Sequence, residues 1–335
     1  DGVRCGTACG NFTVLTANTV SFNVSTAGNY SIGDITMVNQ CSTLNVANEV
    51  YTLQNAVSTT GTCFTIGAEN ITLNLAGYNV SGDGDSIGDY GVSITGYNST
   101  VIKNGGINSF GRAISSTAGF NTTVNNISIR GNTSINGGIP QYGIFLSGGK
   151  WHNITSNNLT LINSTGSAQI SGIYLTSTSD SLVQNNSLVD IGGDISSDSI
   201  GIQLASGADN NTITGNTIIR AYDRAISISG YGNVIKEGRI ENSKVDGIEI
   251  DAATAVNNNF TNITIVRDGG ATGYDFQYNT AGANGTYFVD IHHIANYSFT
   301  GSGLSDIGGR FNFKKTGYGN IEFLDNVNGS GFNLS

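Results

Sequence analysis

Proline is almost missing from this 335-residue chain: it occurs once, as do methionine and tryptophan. Charged residues make up only 11%, less than half of the ~25% usual in soluble domains. Glutamate appears six times, and the scarcity of Glu, Lys, Leu and Met argues against a helical bundle. No run of 18 apolar residues is present, so no membrane-spanning helix is expected. Lys and Arg total 14 against 24 Asp and Glu, a net charge of −10, and nucleic-acid binding lacks the basic face it needs. No charged stretch leads into an apolar signal core, and the chain begins at Asp1. Numbering alone could give that start; the expectation here is a secreted protein whose signal peptide has been removed. What the chain does have is 47 Gly, 42 Asn, 35 Ser and 35 Thr. Hydrophobic residues reach 38%, enough for a core and too many for disorder. Its polarity comes from amides and hydroxyls, which suits stacked β structure with turn-rich edges.

The four cysteines, Cys5, Cys9, Cys41 and Cys63, lie near the N-terminus. An even number confined to one end suits two disulfides, Cys41 with Cys63 and Cys5 with Cys9, although three pairings are open. A zinc site competes poorly, because no C-x-x-C pair occurs and His152, His292 and His293 are distant in sequence. N-x-S/T sequons occur at Asn11, Asn23, Asn29, Asn70, Asn79, Asn98, Asn121, Asn126, Asn132, Asn153, Asn158, Asn163, Asn185, Asn210, Asn259, Asn262, Asn284, Asn296, Asn328 and Asn333. That is about twice what chance placement gives. An Asn/Thr-rich β protein makes some by accident; the excess leads to an expectation of N-linked glycans at many of them, supplying solubility that charge does not.

A pattern of Gly or Ala followed by apolar-x-apolar recurs at Gly91-Val-Ser-Ile94, Gly143-Ile-Phe-Leu146, Gly172-Ile-Tyr-Leu175, Gly201-Ile-Gln-Leu204, Ala225-Ile-Ser-Ile228, Gly247-Ile-Glu-Ile250 and Gly273-Tyr-Asp-Phe276. Weaker copies fall at Ile114 and at Phe311 to Phe313. A repeat of this length marks a solenoid. A second unit follows it: Ile102-Lys-Asn-Gly105-Gly-Ile107, Ile154-Thr-Ser-Asn157-Asn-Leu159, Val183-Gln-Asn-Asn186-Ser-Leu188, Ile213-Thr-Gly-Asn216-Thr-Ile218 and Ile235-Lys-Glu-Gly238-Arg-Ile240. Its fourth position is Asn or Gly, the residues that take a left-handed backbone most cheaply, so a bend is expected there. Asn157, Asn186 and Asn216 are then expected to form an inward amide ladder. Ile127 and Ile263 stand at the bend in two divergent copies.

These coils resemble the right-handed parallel β-helix repeats of the NosD-like, pectate-lyase-like superfamily. The stretch Cys63-Phe-Thr-Ile-Gly-Ala-Glu-Asn-Ile-Thr-Leu-Asn-Leu-Ala-Gly-Tyr-Asn-Val-Ser-Gly82 is similar to the first coils of secreted, often archaeal, surface proteins of that group. The resemblance covers roughly residues 60 to 330 and supports the Cys41–Cys63 pairing. It implies an all-β parallel solenoid of about ten coils, with residues 1–60 as a disulfide-stapled cap or arm and 61–335 as the β-helix, ending in a terminal strand. Function is not implied with it, because the superfamily holds lyases, hydrolases, epimerases, adhesins and surface-layer components.

Along the apolar-x-apolar strands the outward residues run Ser93, Ser115, Phe145, Tyr174, Gln203, Ser227, Glu249, Asp275 and Asn312. Glu249 and Asp275 on adjacent rungs, with Asp251 on the same face, are spaced for a retaining carboxylate pair or a calcium site. An ordinary acidic patch gives the same pattern. Arg220 and Arg224 are expected to pair with Asp223, and Phe145 with Tyr174 could stack a sugar or simply pack. The superfamily's signatures Asn-Thr-Asp, Asp-Asp, Gly-His-Gly and Arg-Ile-Lys are missing. The expectation is therefore a secreted structural glycoprotein and not an enzyme: a filament, sheath or surface-layer subunit, joined to copies of itself through residues 10–60 or the strand at Phe332–Leu334. It carries no metal and no cofactor beyond covalent glycans. The alternative is a carbohydrate-active β-helix enzyme or sugar-binding adhesin using Glu249, Asp251 and Asp275.

Overall fold

The computed structural model describes residues 9–15, 19–24, 35–84, 88–131, 140–162, 169–192, 198–266, 276–278, 287–294, 299–301 and 323–324. Two compact units divide after Ile35. In the first, Cys9–Leu15 and Thr19–Val24 form an antiparallel hairpin. The second is a parallel β-solenoid, and it starts earlier than residue 61, because the short strand Ser42–Leu44 already pairs in parallel with Phe64–Ile66.

Each coil contributes strands to three faces. The front face is a twelve-stranded parallel sheet whose members include Tyr90–Thr95, Arg112–Thr117, Gln141–Ser147, Ile170–Thr176, Ser199–Leu204, Arg224–Ile228 and Asp246–Ile250. The second and third faces meet at a bend, as in Asn153–Thr155 followed by Asn158–Ile162, or Thr212–Thr214 followed by Thr217–Ala221. Alternation decides what is inside: Ile144, Ile173, Ile202, Ile226 and Ile248 are buried, one rung above another. β-branched side chains fit this pleated, half-buried wall, and each fully buried one stabilises the stack by roughly 1.5–3 kcal/mol.

The bend lies where the second repeat unit predicts it, but the left-handed residue is the third of the unit, not the fourth. Positive φ falls at Asn104, Asn126, Ser156, Asn185, Gly215, Glu237 and Asn262. Turning the chain one residue early aims the fourth side chain inward. That is why the fourth position holds an amide that a neighbouring rung can satisfy, an apolar group such as Ile127 and Ile263, both buried, or a glycine, as at Gly105 and Gly238. The ladder follows from the same turn. Asn157 Nδ2 donates to Asn186 Oδ1, and Asn186 Nδ2 to Asn216 Oδ1, both at 2.9 Å. Their backbone N–H groups donate to the same oxygens.

A second ladder stands at the bend between the front and second faces. Thr122 N–H donates to His152 Nδ1 at 3.2 Å, His152 N–H to Ser181 Oγ at 2.9 Å, and Ser181 N–H to Asn211 Oδ1 at 3.0 Å. Asn211 and Asn233 continue it onto Asn233 and Asn258. The residue just before each of these is left-handed: Asn121, Trp151, Asp180, Asn210, Gly232 and Asn257.

Cys41 and Cys63 are disulfide-bonded, joining the first two coils. The expected Cys5–Cys9 bond and the terminal strand at Phe332–Leu334 lie outside the described residues.

Candidate functional site

The outward column of the front face follows the expected order from Ser93 through Ser115, Phe145, Tyr174, Gln203 and Ser227 to Glu249. The next partner of Glu249 is Gln277, not Asp275. The front strand is Phe276–Tyr278, two residues later than the Tyr274-Asp275-Phe276 register. Asp275 lies outside the described residues, and the expected Glu249/Asp275 rung pair is replaced. Asp251 is exposed beyond the strand end, while Glu249 is fully buried.

Arg224 gathers the acids instead. Its guanidinium pairs with Glu249 Oε2, lies 3.4 Å from Asp223 Oδ2 and 3.8 Å from Asp198 Oδ1. Asp246, also buried, sits opposite Arg224 on the next strand. Burial raises the Glu249 carboxyl to about 8; Arg224 opposes this, and Asp251, Asp246 and Asp223 reinforce it. The Asp223 carboxyl rises to about 6, again chiefly through desolvation, with Arg224 opposing and Asp246 and Asp198 adding. Glu249 therefore keeps its proton at neutral pH, while Asp223 is mostly ionised there and takes up its proton as pH falls through about 6. Arg220 does not join them: its Nη2 binds Asp190 Oδ2 at 2.9 Å, and that hydrogen bond holds the Asp190 carboxyl below its usual value.

Toward the N-terminal rungs the same face becomes aromatic. Phe145 and Tyr174 stack at 5.4 Å with planes 6° apart, and the Tyr142 ring lies 4.9 Å from Tyr174. The Arg112 guanidinium sits 4.3 Å from the Phe145 centroid. Tyr142 donates to Gln169 Oε1 at 2.9 Å, and Gln169 and Ser171 donate to Gln203 Oε1 at 3.1 and 2.8 Å. An aromatic surface, an amide relay and a protonatable acid cluster thus follow one another along the axis. Asp198, Asp223, Asp246, Arg224, Gln169 and Ser171 were not placed in this site by sequence reading. Asp246 precedes the apolar-x-apolar unit by two positions, as Arg224 does, so the repeat alignment did carry that signal.

Among the candidate glycan acceptors, Asn70, Asn79, Asn121, Asn126, Asn158, Asn185, Asn210 and Asn262 are exposed, and Asn98, Asn153 and Asn259 are half-buried. Among the described residues no helix is long and apolar enough to cross a membrane.

No curated protein matches the chain in sequence. Solved structures do resemble it. DFA-IIIase from Arthrobacter chlorophenolicus A6 is 11% identical with a TM-score of 0.51, over 78% of this chain and 82% of that one. Alginate lyase from Paenibacillus sp. str. FPU-7 is 14% identical with a TM-score of 0.50, over 82% and 90%. The tailspike protein of E. coli bacteriophage HK620 is 11% identical with a TM-score of 0.54, over 87% and 57%. Two of these neighbours are enzymes, so the expectation that a chain of this build is no enzyme does not stand.

The family model described as periplasmic copper-binding protein (NosD) matches residues 9–297. The donors described here do not fit copper. Both ring nitrogens of His152 are engaged, Nδ1 by Thr122 N–H and Nε2 with Gly148 O at 3.3 Å, and Cys41 and Cys63 are oxidised to a disulfide. Among the described residues no group of three His, Cys, Asp or Glu is placed for a metal. With most of its length matched and its coils stacked in one parallel solenoid, the chain belongs to the NosD family.

Proposed function

We propose that this is a carbohydrate-active β-helix protein of a compartment outside the cytoplasm, with its site on the front face. The observation that carries the reading is the Arg224 cluster, where the Asp223 carboxyl, 7% exposed and raised to about 6, lies 3.4 Å from the guanidinium. A saccharide chain laid along the axis stacks on Phe145 and Tyr174 and reaches Arg224 and Asp223. Asp223 is the catalytic acid/base, because its pKa lies close to working pH. Glu249, fully buried beneath Arg224, is a positioning residue that holds the guanidinium in place. This reading is preferred to a filament or surface-layer subunit because a solved neighbour of the same fold is an alginate lyase.

Purified protein incubated with uronate and neutral polysaccharides is expected to release oligosaccharides from at least one. Asp223→Asn should abolish turnover with little change in melting temperature. Glu249→Gln should shift the pH profile while retaining part of kcat. A panel without any turnover, or a fully active Asp223→Asn variant, would sink the proposal.

A further inference from the structure

A different bend carries an aromatic feature that the front-face site does not use. Trp151, the only tryptophan, occupies the left-handed column between the front and second faces at φ 61. Every other member of that column named above is Asn, Asp or Gly, residues to which this backbone comes most readily. A bulky side chain held in this conformation is a reason to look for a role. Burial does not explain it: Trp151 is 55% exposed. Phe120, one rung away and 40% exposed, packs beside it with centroids 6.4 Å apart and planes tilted 47°. The Lys150 ammonium sits 4.1 Å from the indole centroid, and this cation–π contact fixes the ring's orientation.

The surroundings decide what could cover these rings. Neighbouring positions of the same bend are Asn98, Asn121, Ser179 and Asp180, all polar, so among the described residues of this bend the two rings do not extend into a larger apolar patch of the kind a protein partner buries. Isolated flat rings with amides and hydroxyls at their rim suit a ligand that is apolar on one face and hydroxylated at its edge. A pyranose ring has that build.

We propose that Trp151 and Phe120 form a saccharide-binding platform, separate from the Arg224 site, that holds a sugar chain by stacking. Lys150 acts as a positioning residue for the indole.

Trp151 is its own reporter. Titrating the Asp223→Asn protein with cellohexaose, laminarihexaose and hexagalacturonate should give a saturable change in tryptophan emission with at least one of them. By calorimetry, Trp151→Asn should weaken that binding more than ten-fold and Phe120→Ala several-fold. Asn takes the left-handed backbone readily, so Trp151→Asn should melt no lower than the parent, and lost binding cannot then be ascribed to unfolding. The proposal is overturned if emission stays flat with every oligosaccharide up to millimolar concentration, or if Trp151→Asn binds like the parent. Emission that follows protein concentration instead, with a dimer in sedimentation, also overturns it and assigns the platform to a second copy. Turnover is not read in this titration, so failure of the front-face reading and failure of this one are distinguishable.

Discussion

At the residue scale, one left-handed position governs much of the composition. Asn126, Asn185 and Asn262 take that position at the second bend, and Asn70, Asn121 and Asn210 take its equivalent at the other. The next residue points inward, and the one after it opens a strand facing outward, where Thr and Ser are at home. N-x-S/T is therefore the natural spelling of a bend, and the sequon excess follows from coil geometry whether or not a glycan is attached. The sequence showed that Asn and Gly cluster at the bend, but not which of two adjacent residues turns left-handed. Both are Asn in Asn185-Asn186, and only the backbone tells them apart. Gly238 tests the inward position. It continues the column of Asn157, Asn186 and Asn216, its backbone is not left-handed, and an added Cβ would meet nothing closer than Asn216 O at 3.5 Å. Gly238→Asn is expected to extend the ladder by accepting from Asn216 and to raise unfolding free energy by about 1 kcal/mol. Gly105→Asn should do the reverse, because a Cβ there would lie 2.4 Å from Leu75 Cβ, and overpacking costs about 1–3 kcal/mol. Denaturant unfolding of the two variants checks both signs.

At the scale of the element, the ladders and the front strands were legible to different degrees. Asn157, Asn186 and Asn216 repeat at one offset within an obvious unit, so their ladder could be read. The other ladder mixes Thr122, His152, Ser181, Asn211, Asn233 and Asn258, which share a hydrogen-bonding role but no residue type, so no motif announces it. The misplaced Asp275 has another cause. Tyr274-Asp275-Phe276-Gln277-Tyr278 reads as apolar-x-apolar in two registers, and a two-residue slip leaves every inward residue inward. Parity cannot choose between them; connector length does. His152 makes its ladder sensitive to acid. Burial lowers its pKa, opposed by its bond to Gly148, and its Nδ1 accepts from Thr122 only when deprotonated. In the unfolded chain His titrates near ~6.5. The folded value is lower, so the unfolded state binds more protons between the two, and stability present above that pH is lost as pH falls through the folded pKa. His152→Asn keeps an acceptor at the position and removes the titration. Melting temperatures measured from pH 7 down to 5 should fall less in the variant than in the parent; parallel curves would remove His152 from the acid response.

At the scale of the whole molecule, a solenoid is a row of coils, each supported by its neighbours, so its stability is nearly a sum of rungs and interfaces. An end rung has one neighbour and should open first. In the coil with Ser42–Leu44 and Val50–Leu53, Ser42–Leu44 is the end strand of the described front sheet. Among the described residues only Ile35–Val38 lies beside the second strand on its outer side, and Val46 is 55% exposed. Cys41–Cys63 ties that coil to the second across a sequence separation of 22, and a loop of this size contributes about 3 kcal/mol when closed. That contribution is local, because no other coil is crossed by the bond. Reduction should therefore speed hydrogen exchange at Ser42–Leu44 and Val50–Leu53 by one to two orders of magnitude. Ser199–Leu204 and Arg224–Ile228, many rungs away and carrying the Arg224 site, should keep their protection. Equal acceleration everywhere would mean that the coils unfold as one cooperative block, and the row of nearly independent rungs would have to be abandoned. With only the first coils loosened, Asp223 and Arg224 should keep their geometry, and turnover by the reduced protein should match that of the oxidised form.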